Sequence, residues 1–186
     1  MAIEETELTA LLSAWRAGEA GARDRLSILI YDQLKGLAYS RFAREGSMQT
    51  LQPTALVHEA LMRLWQAAEQ PQNRAHLFAL AALHMRSILI DYARAKGAER
   101  RGGNQPQLTL ERFEELVPAA TSDFLELEEA LCALEREEPR AAEAITLSYF
   151  GGLSQEEIAE YQGASLSTVE RSLRFGKAWL RREFGG

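Results

Sequence analysis

One cysteine, Cys132, leaves no room for an internal disulfide framework or a cysteine-based zinc site. Histidine is almost as scarce. His58, His76 and His84 include no pair four residues apart, and Met62 stands where a zinc-protease helix beginning His58-Glu59 would need its second histidine. No Gly-rich loop ends in Lys-Ser or Lys-Thr to cradle a phosphate. Gly163-Ala164-Ser165-Leu166-Ser167 lacks the final glycine and the preceding strand of a nucleophile elbow. No stretch alternates with period two for long enough to make a strand, and nothing repeats. No apolar run approaches the roughly 20 residues of a membrane span. The start of the chain, Ile3-Glu4-Glu5, is acidic where a signal peptide would be basic and then apolar. These absences predict a soluble cytoplasmic protein with no catalytic residues, metal or cofactor.

Nearly half of the 186 residues are apolar, enough for one domain or two small ones with real cores. The net charge of −6 argues against indiscriminate binding of nucleic acid by the whole chain. The charge is unevenly spread. Residues 1–107 carry 13 Lys/Arg against 11 Asp/Glu, residues 108–138 carry 2 against 10, and residues 139–186 carry 6 against 6. The acidity belongs to the middle.

What is abundant is helical periodicity. Leu8, Leu11, Leu12 and Trp15 fall on one side of a first helix ending near Gly18. Leu26, Leu29, Ile30, Leu34, Leu37 and Ala38 mark a second, broken at Glu45-Gly46-Ser47. Pro53-Thr54 opens a third, whose Val57, Ala60, Leu61, Leu64 and Trp65 face a core while His58, Glu59, Met62, Arg63 and Gln66 face away. From Arg74 to about Arg101 runs the longest, apolar nearly all round in its first half (Leu77, Phe78, Leu80, Leu83, Met85, Ile88, Leu89, Ile90) and therefore central. Within that half His84 reads as a core histidine with satisfied nitrogens. The second half turns basic at Arg94, Lys96, Arg100 and Arg101. Those cations either hold nucleic acid or merely complement the helix dipole. Residues 104–122, with Pro106, Pro118 and a run of Glu, read as a linker holding at most one helical turn around Glu111–Leu116. Helices then start at Asp123, with Phe124, Leu127, Leu131 and Leu134 on one face, and at Pro139, with Ala142, Ile145 and Tyr149. The expected fold is all-α: two separately folded helical domains, 1–103 and 123–186, joined by a flexible acidic tether and mobile relative to each other.

The most informative stretch follows Gly151-Gly152. Ser154 and Glu157 form a capping-box pair that starts a short helix, and Gly163 ends it. A second helix starts at Ser165 or at Ser167, the latter again with a Glu three residues on, at Glu170. Val169, Leu173, Gly176 and Leu180 share its inner side, leaving Ser167, Thr168, Glu170, Arg171, Arg174 and Lys177 outward. Two helices around a tight glycine turn, the second with short polar and basic side chains outward, make a helix-turn-helix pattern. Short side chains let such a helix approach a groove, and Arg can donate bidentately to guanine. An ordinary helical hairpin with a solvated basic face fits the same letters.

In order and spacing, four stretches resemble a bacterial sigma factor of the sigma-70 family, of the short extracytoplasmic-function type that has only regions 2 and 4. LQPTALVHEALMRLW is similar to region 2.2, and RAHLFALAALHMRSILIDYARAKGAERRG to regions 2.3 and 2.4. DFLELEEALCAL is similar to the start of region 4, and YFGGLSQEEIAEYQGASLSTVERSLRFGKAWLRREF to its helix-turn-helix. The PTALVHEA form, with Ala55 and His58, is that of one subgroup of extracytoplasmic-function-like factors. The resemblance implies binding to core RNA polymerase and direction to promoters. It implies that His58, Glu59, Met62 and Arg63 meet the clamp helices of the largest subunit, and that region 4 meets the flap. It implies that Asn73, Arg74, Arg94, Lys96, Arg100 and Arg101 help to melt and hold the −10 strand, with Phe78 and Tyr92 as the available aromatics. It implies that Ser167, Thr168, Glu170, Arg171, Arg174 and Lys177 read the −35 element. An anti-sigma factor is a further candidate partner, and the nucleoid the place of work when bound to polymerase.

Two other readings compete. A stand-alone helix-turn-helix regulator would form dimers on half-sites about one turn apart, but no dimerisation heptads are evident. A helical adaptor or anti-sigma-like protein would not read DNA, and the outward Arg171 and Arg174 count against it.

Overall fold

In the computed structural model, which describes residues 5–42, 52–67, 70–99 and 124–185, eight helices and no strand occur among the described residues. The first four are α1 (Glu5–Arg16), α2 (Ala22–Phe42), α3 (Pro53–Gln66) and α4 (Arg74–Glu99). The last four are α5 (Phe124–Glu137), α6 (Pro139–Tyr149), α7 (Gln155–Gln162) and α8 (Leu166–Gly185). The break at residues 45–47, the tether at 104–122 and its helical turn lie outside the described residues.

Pro53 and Pro139 each open a helix, where a missing N–H costs nothing because first-turn amides have no intrahelical acceptor. The apolar stripes are buried where periodicity puts them: Leu8 and Leu12 on α1; Leu26, Ile30, Leu34 and Ala38 on α2; Leu56, Val57, Ala60, Leu61 and Leu64 on α3. Trp15 and Trp65 meet edge to face, with ring centroids 4.9 Å apart, and pin α1 to α3. Phe124 of α5 and Phe150, the residue that caps the end of α6, make a similar contact at 6.1 Å. Trp179 is buried against α5 with its indole N–H donating to Glu137 at 2.9 Å.

Helix α4 is the shared wall. It packs on α3 and α1 on one side and on α5, α6 and α7 on the other. The buried residues of all eight helices form one continuous apolar cluster. The sequence led to an expectation of two groups free to move relative to each other; here the second group is seated on α4. Two residues that periodicity could not pair explain the seat. Arg86 of α4 donates bidentately to Glu128 of α5, at 2.8 and 2.9 Å, and also to Thr146 of α6 at 3.2 Å. The pair is almost fully buried, with side-chain exposures of 11% and 8%.

Candidate nucleic-acid interface

The helix-turn-helix is built from local rules. Ser154 caps α7 by accepting from the Glu157 amide at 3.2 Å, and the Glu157 carboxylate accepts from the Ser154 amide at 2.8 Å. Gly163 ends α7 in the left-handed region, φ 58, and Ile158 locks the short helix into the core. The second cap is Ser165, whose hydroxyl accepts from the Thr168 amide at 3.2 Å. Ser165 rather than Ser167 starts α8, so the Ser167–Glu170 pairing is not the cap. Ser165 also exchanges hydroxyl hydrogen bonds with Ser167 and Thr168, at 3.0 and 2.8 Å, which ties the start of α8 into one polar knot.

From that start α8 buries Val169, Leu173, Gly176 and Leu180. Ser167, Glu170, Arg171 and Arg174 are exposed, as expected, and Thr168 is half-buried. Lys177 sits lower, half-buried, with Nζ 5.5 Å from the centre of the Tyr149 ring. Arg171 and Arg174 therefore offer guanidinium groups on one open face close to the helix N-terminus, the geometry that enters a major groove.

A second surface lies on α3. His58 and Met62 are exposed, with the His58 ring 5.3 Å from that of Tyr31 on α2. Glu59 is half-buried and accepts from Arg63 at 3.0 Å. Arg63 does not simply point outward. It also donates to Ser87 and Asp91 of α4, each at 3.2 Å, so it braces α3 against α4. These carboxylates, Glu59 foremost, raise its already high pKa. Nearby, His84 is half-buried and its Nε2 has no hydrogen-bond partner, which corrects the expectation of a satisfied histidine. Burial first, then the Arg63 charge, lowers its pKa below the ordinary value.

The third surface is split along α4. Asn73 caps the helix, its Oδ1 accepting from the His76 amide at 2.8 Å. Its amide also donates to Glu160 of α7 at 2.7 Å. Arg74 lies over the Phe78 ring, 4.6 Å from its centre, and is ion-paired with Glu157 of α7. Phe78 itself is buried, so its face is not open to a base in this arrangement; Tyr92 is half-buried. Arg94 is exposed at the other end of the helix. Lys96 lies on α4 with its side chain outside the described residues, as are Arg100 and Arg101 altogether. Asn73 and Arg74 thus stand together at one end of α4, about 20 residues or roughly 30 Å along the helix from Arg94.

The sequence reading missed Glu128, Arg86, Glu157 and Glu160 as partners across α4. Two signals were available. Arg86 is the only formally charged residue between Ala75 and Ile90, and Glu128 falls four residues after Phe124 on the apolar stripe of α5. Among the described residues no three His, Cys, Asp or Glu side chains gather as a metal site would need, and no helix is long and apolar enough to cross a membrane. The family described as ECF sigma factor matches residues 5–186 of the chain. No curated protein matches it.

Proposed function

Because the chain belongs to the ECF sigma factor family, and so is an RNA polymerase sigma factor acting with core polymerase on promoter DNA in transcription initiation, we propose which of its surfaces does what. Residues 1–103 form the polymerase-binding and −10 domain, residues 123–186 the −35 domain, and residues 104–122 the linker. The row His58, Glu59, Met62 and Arg63 on α3 meets the clamp helices of the largest polymerase subunit, while the α5–α8 group meets the flap. Asn73, Arg74 and Arg94, with Lys96, Arg100 and Arg101 beyond, hold the −10 strand by its phosphates. Ser167, Thr168, Glu170, Arg171, Arg174 and Lys177 read the −35 duplex. An anti-sigma factor, where one exists, would compete for the same surfaces.

The observation that carries this reading is the pair Arg171 and Arg174, both exposed at the start of α8 behind the left-handed turn at Gly163. Bidentate donors on an open, early helical face suit guanine edges. Later cations such as Lys177 suit phosphate.

Site-specific photo-cross-linking in a complex of the chain, core polymerase and promoter tests the assignment. A reactive group at Met62 is expected to link to the largest subunit, one at Arg94 to the −10 strand, and one at Arg174 to the −35 duplex. Links from position 62 to DNA, or from position 174 to the −10 strand, would overturn it.

A further inference from the structure

The open face of α8 is not wholly polar. Phe175 stands on it 45% exposed, four residues after Arg171 and next to Arg174, both of them exposed as well. Residues four apart on a helix lie one above the other on adjacent turns, so the ring continues the row that Arg171 begins. Ala178, three residues on, is exposed and small, and leaves the ring open from that side. A single apolar side chain on a surface is ordinary. This one has a fixed place among cations.

The packing beneath holds it there. A Cβ on Gly176 would come within 2.9 Å of Ile145 Cγ1 and 3.5 Å of the Ala141 carbonyl oxygen, so the backbone of α8 rests directly on α6. Trp179, one turn beyond Phe175, is buried with its N–H donating to Glu137. Val169, Leu173 and Leu180 fill the rest of the inner side. Helix α8 cannot roll to bury Phe175 without lifting Gly176 off α6 and pulling Trp179 out of the core. The ring is therefore presented rigidly, as a group that discriminates between bases must be.

We propose that Phe175 is a specificity-determining residue for the −35 element, reading the 5-methyl group of one thymine in the major groove; this rests on the assignment of the exposed α8 face to the −35 duplex. The chemistry selects that group. Of the four bases thymine alone presents a methyl group on the major-groove edge, and the donors and acceptors of the others offer a phenyl ring nothing to bond. The charges select nucleic acid over an apolar protein surface. A protein that covered the ring would also take Arg171 and Arg174 out of water without supplying anions, a cost that burial of one ring does not offset. Duplex DNA covers the ring and answers both guanidinium groups. The reach fits too. Phe175 lies about 6 Å along the helix axis from Arg171, and a base step is about 3.4 Å. The thymine is thus expected within about two base pairs of the base that Arg171 reads.

The test uses the complex of the full chain with core polymerase, on a promoter that this complex selects from a genomic library. Each thymine of the −35 element is replaced in turn by deoxyuridine, which keeps the base pair and removes only the methyl group. Wild-type affinity is expected to fall about fourfold at one thymine near the Arg171 base, the value of one methyl group left in water, and by less than about 1.5-fold at the others. Phe175→Ala is expected to bind the thymine and deoxyuridine promoters equally. Phe175→Leu, which keeps a smaller apolar side chain, is expected to retain part of the methyl preference. Arg171→Ala is expected to retain all of it while relaxing its own base. A wild type indifferent to deoxyuridine at every −35 thymine, or a Phe175→Ala chain that keeps the full methyl preference, would overturn the proposal. So would a Phe175→Ala defect that appears as weaker capture of polymerase in the absence of DNA, since the ring would then belong to the polymerase contact. The arms also separate the two ideas. If Arg171→Ala relaxes a base while deoxyuridine has no effect, the role of Phe175 alone is wrong; if neither changes anything at the −35 element, the assignment of α8 fails first.

Discussion

Arg63 of α3 donates to Asp91 of α4 across 3.2 Å while holding Glu59 on its own helix at 3.0 Å. One guanidinium therefore both shapes the exposed row of α3 and braces the helix pair. The two roles separate by mutation. Glu59→Lys removes a partly exposed partner, while Arg63 keeps Asp91 and Ser87, so it should cost at most about 1 kcal/mol of stability. Capture of core polymerase should nevertheless weaken at least tenfold, or about 1.4 kcal/mol. Met62→Ala, at a side chain 56% exposed, should change unfolding by no more than about 0.5 kcal/mol and still lower capture. Denaturation curves and a polymerase pull-down titration on the same preparations check both.

For −35 reading, Arg171→Ala is expected to cost about 1–3 kcal/mol and to relax preference at one base position. Lys177→Ala should weaken binding evenly across sequences and lower the salt slope by about one. Both effects belong to the polymerase complex, because the 139–186 segment carries as many acidic as basic residues and should hold duplex poorly alone. Matched promoters with varied −35 bases, assayed at several salt concentrations, measure them.

The turn between α7 and α8 makes a stability prediction. At Gly163 nothing lies within 4 Å of where a Cβ would be, so Gly163→Ala meets no clash and pays only for its φ of 58. The cost should be about 1–2 kcal/mol. Ser154→Ala, which removes one limb of the capping box, should cost about 1 kcal/mol. Chemical denaturation followed by circular dichroism distinguishes these from a neutral change.

His84 predicts a pH dependence. Its folded pKa lies below the unfolded value near 6.5, because burial and then Arg63 oppose the imidazolium. Above that value both states are neutral and the residue contributes no slope. As pH falls through 6.5 toward the folded pKa, the unfolded state binds more protons and stability is lost. His84→Leu should flatten the stability profile across that window. A wild-type profile with no slope there, or one unchanged by the substitution, would contradict the assignment.

Local structure was legible because its causes are local. The Ser154–Glu157 box, the Gly163 turn and the 3.6-residue stripes each depend on residues within a turn or two of one another. The choice between Ser165 and Ser167 was not legible, since both precede plausible first turns and only the hydroxyl geometry at Thr168 decides. The outward row of α3 was read correctly for His58 and Met62. Arg63 was misjudged because its second partner, Asp91, is 28 positions away. The seat on α4 was missed for the same reason: Arg86 and Glu128 are 42 positions apart, and periodicity says nothing about which stripe meets which. The clue was an isolated charge in an apolar helix, which a buried partner had to answer.

The central claim is that this chain directs core polymerase to promoters through the α8 face and the α4 cations. Run-off transcription with purified core polymerase on a genomic promoter library tests it most directly. The account predicts discrete transcripts from a small set of promoters sharing one −35 and one −10 sequence, with Arg171→Ala reducing them selectively. No promoter-directed transcript, together with tight sequence-specific binding of duplex DNA by the chain alone, would contradict it.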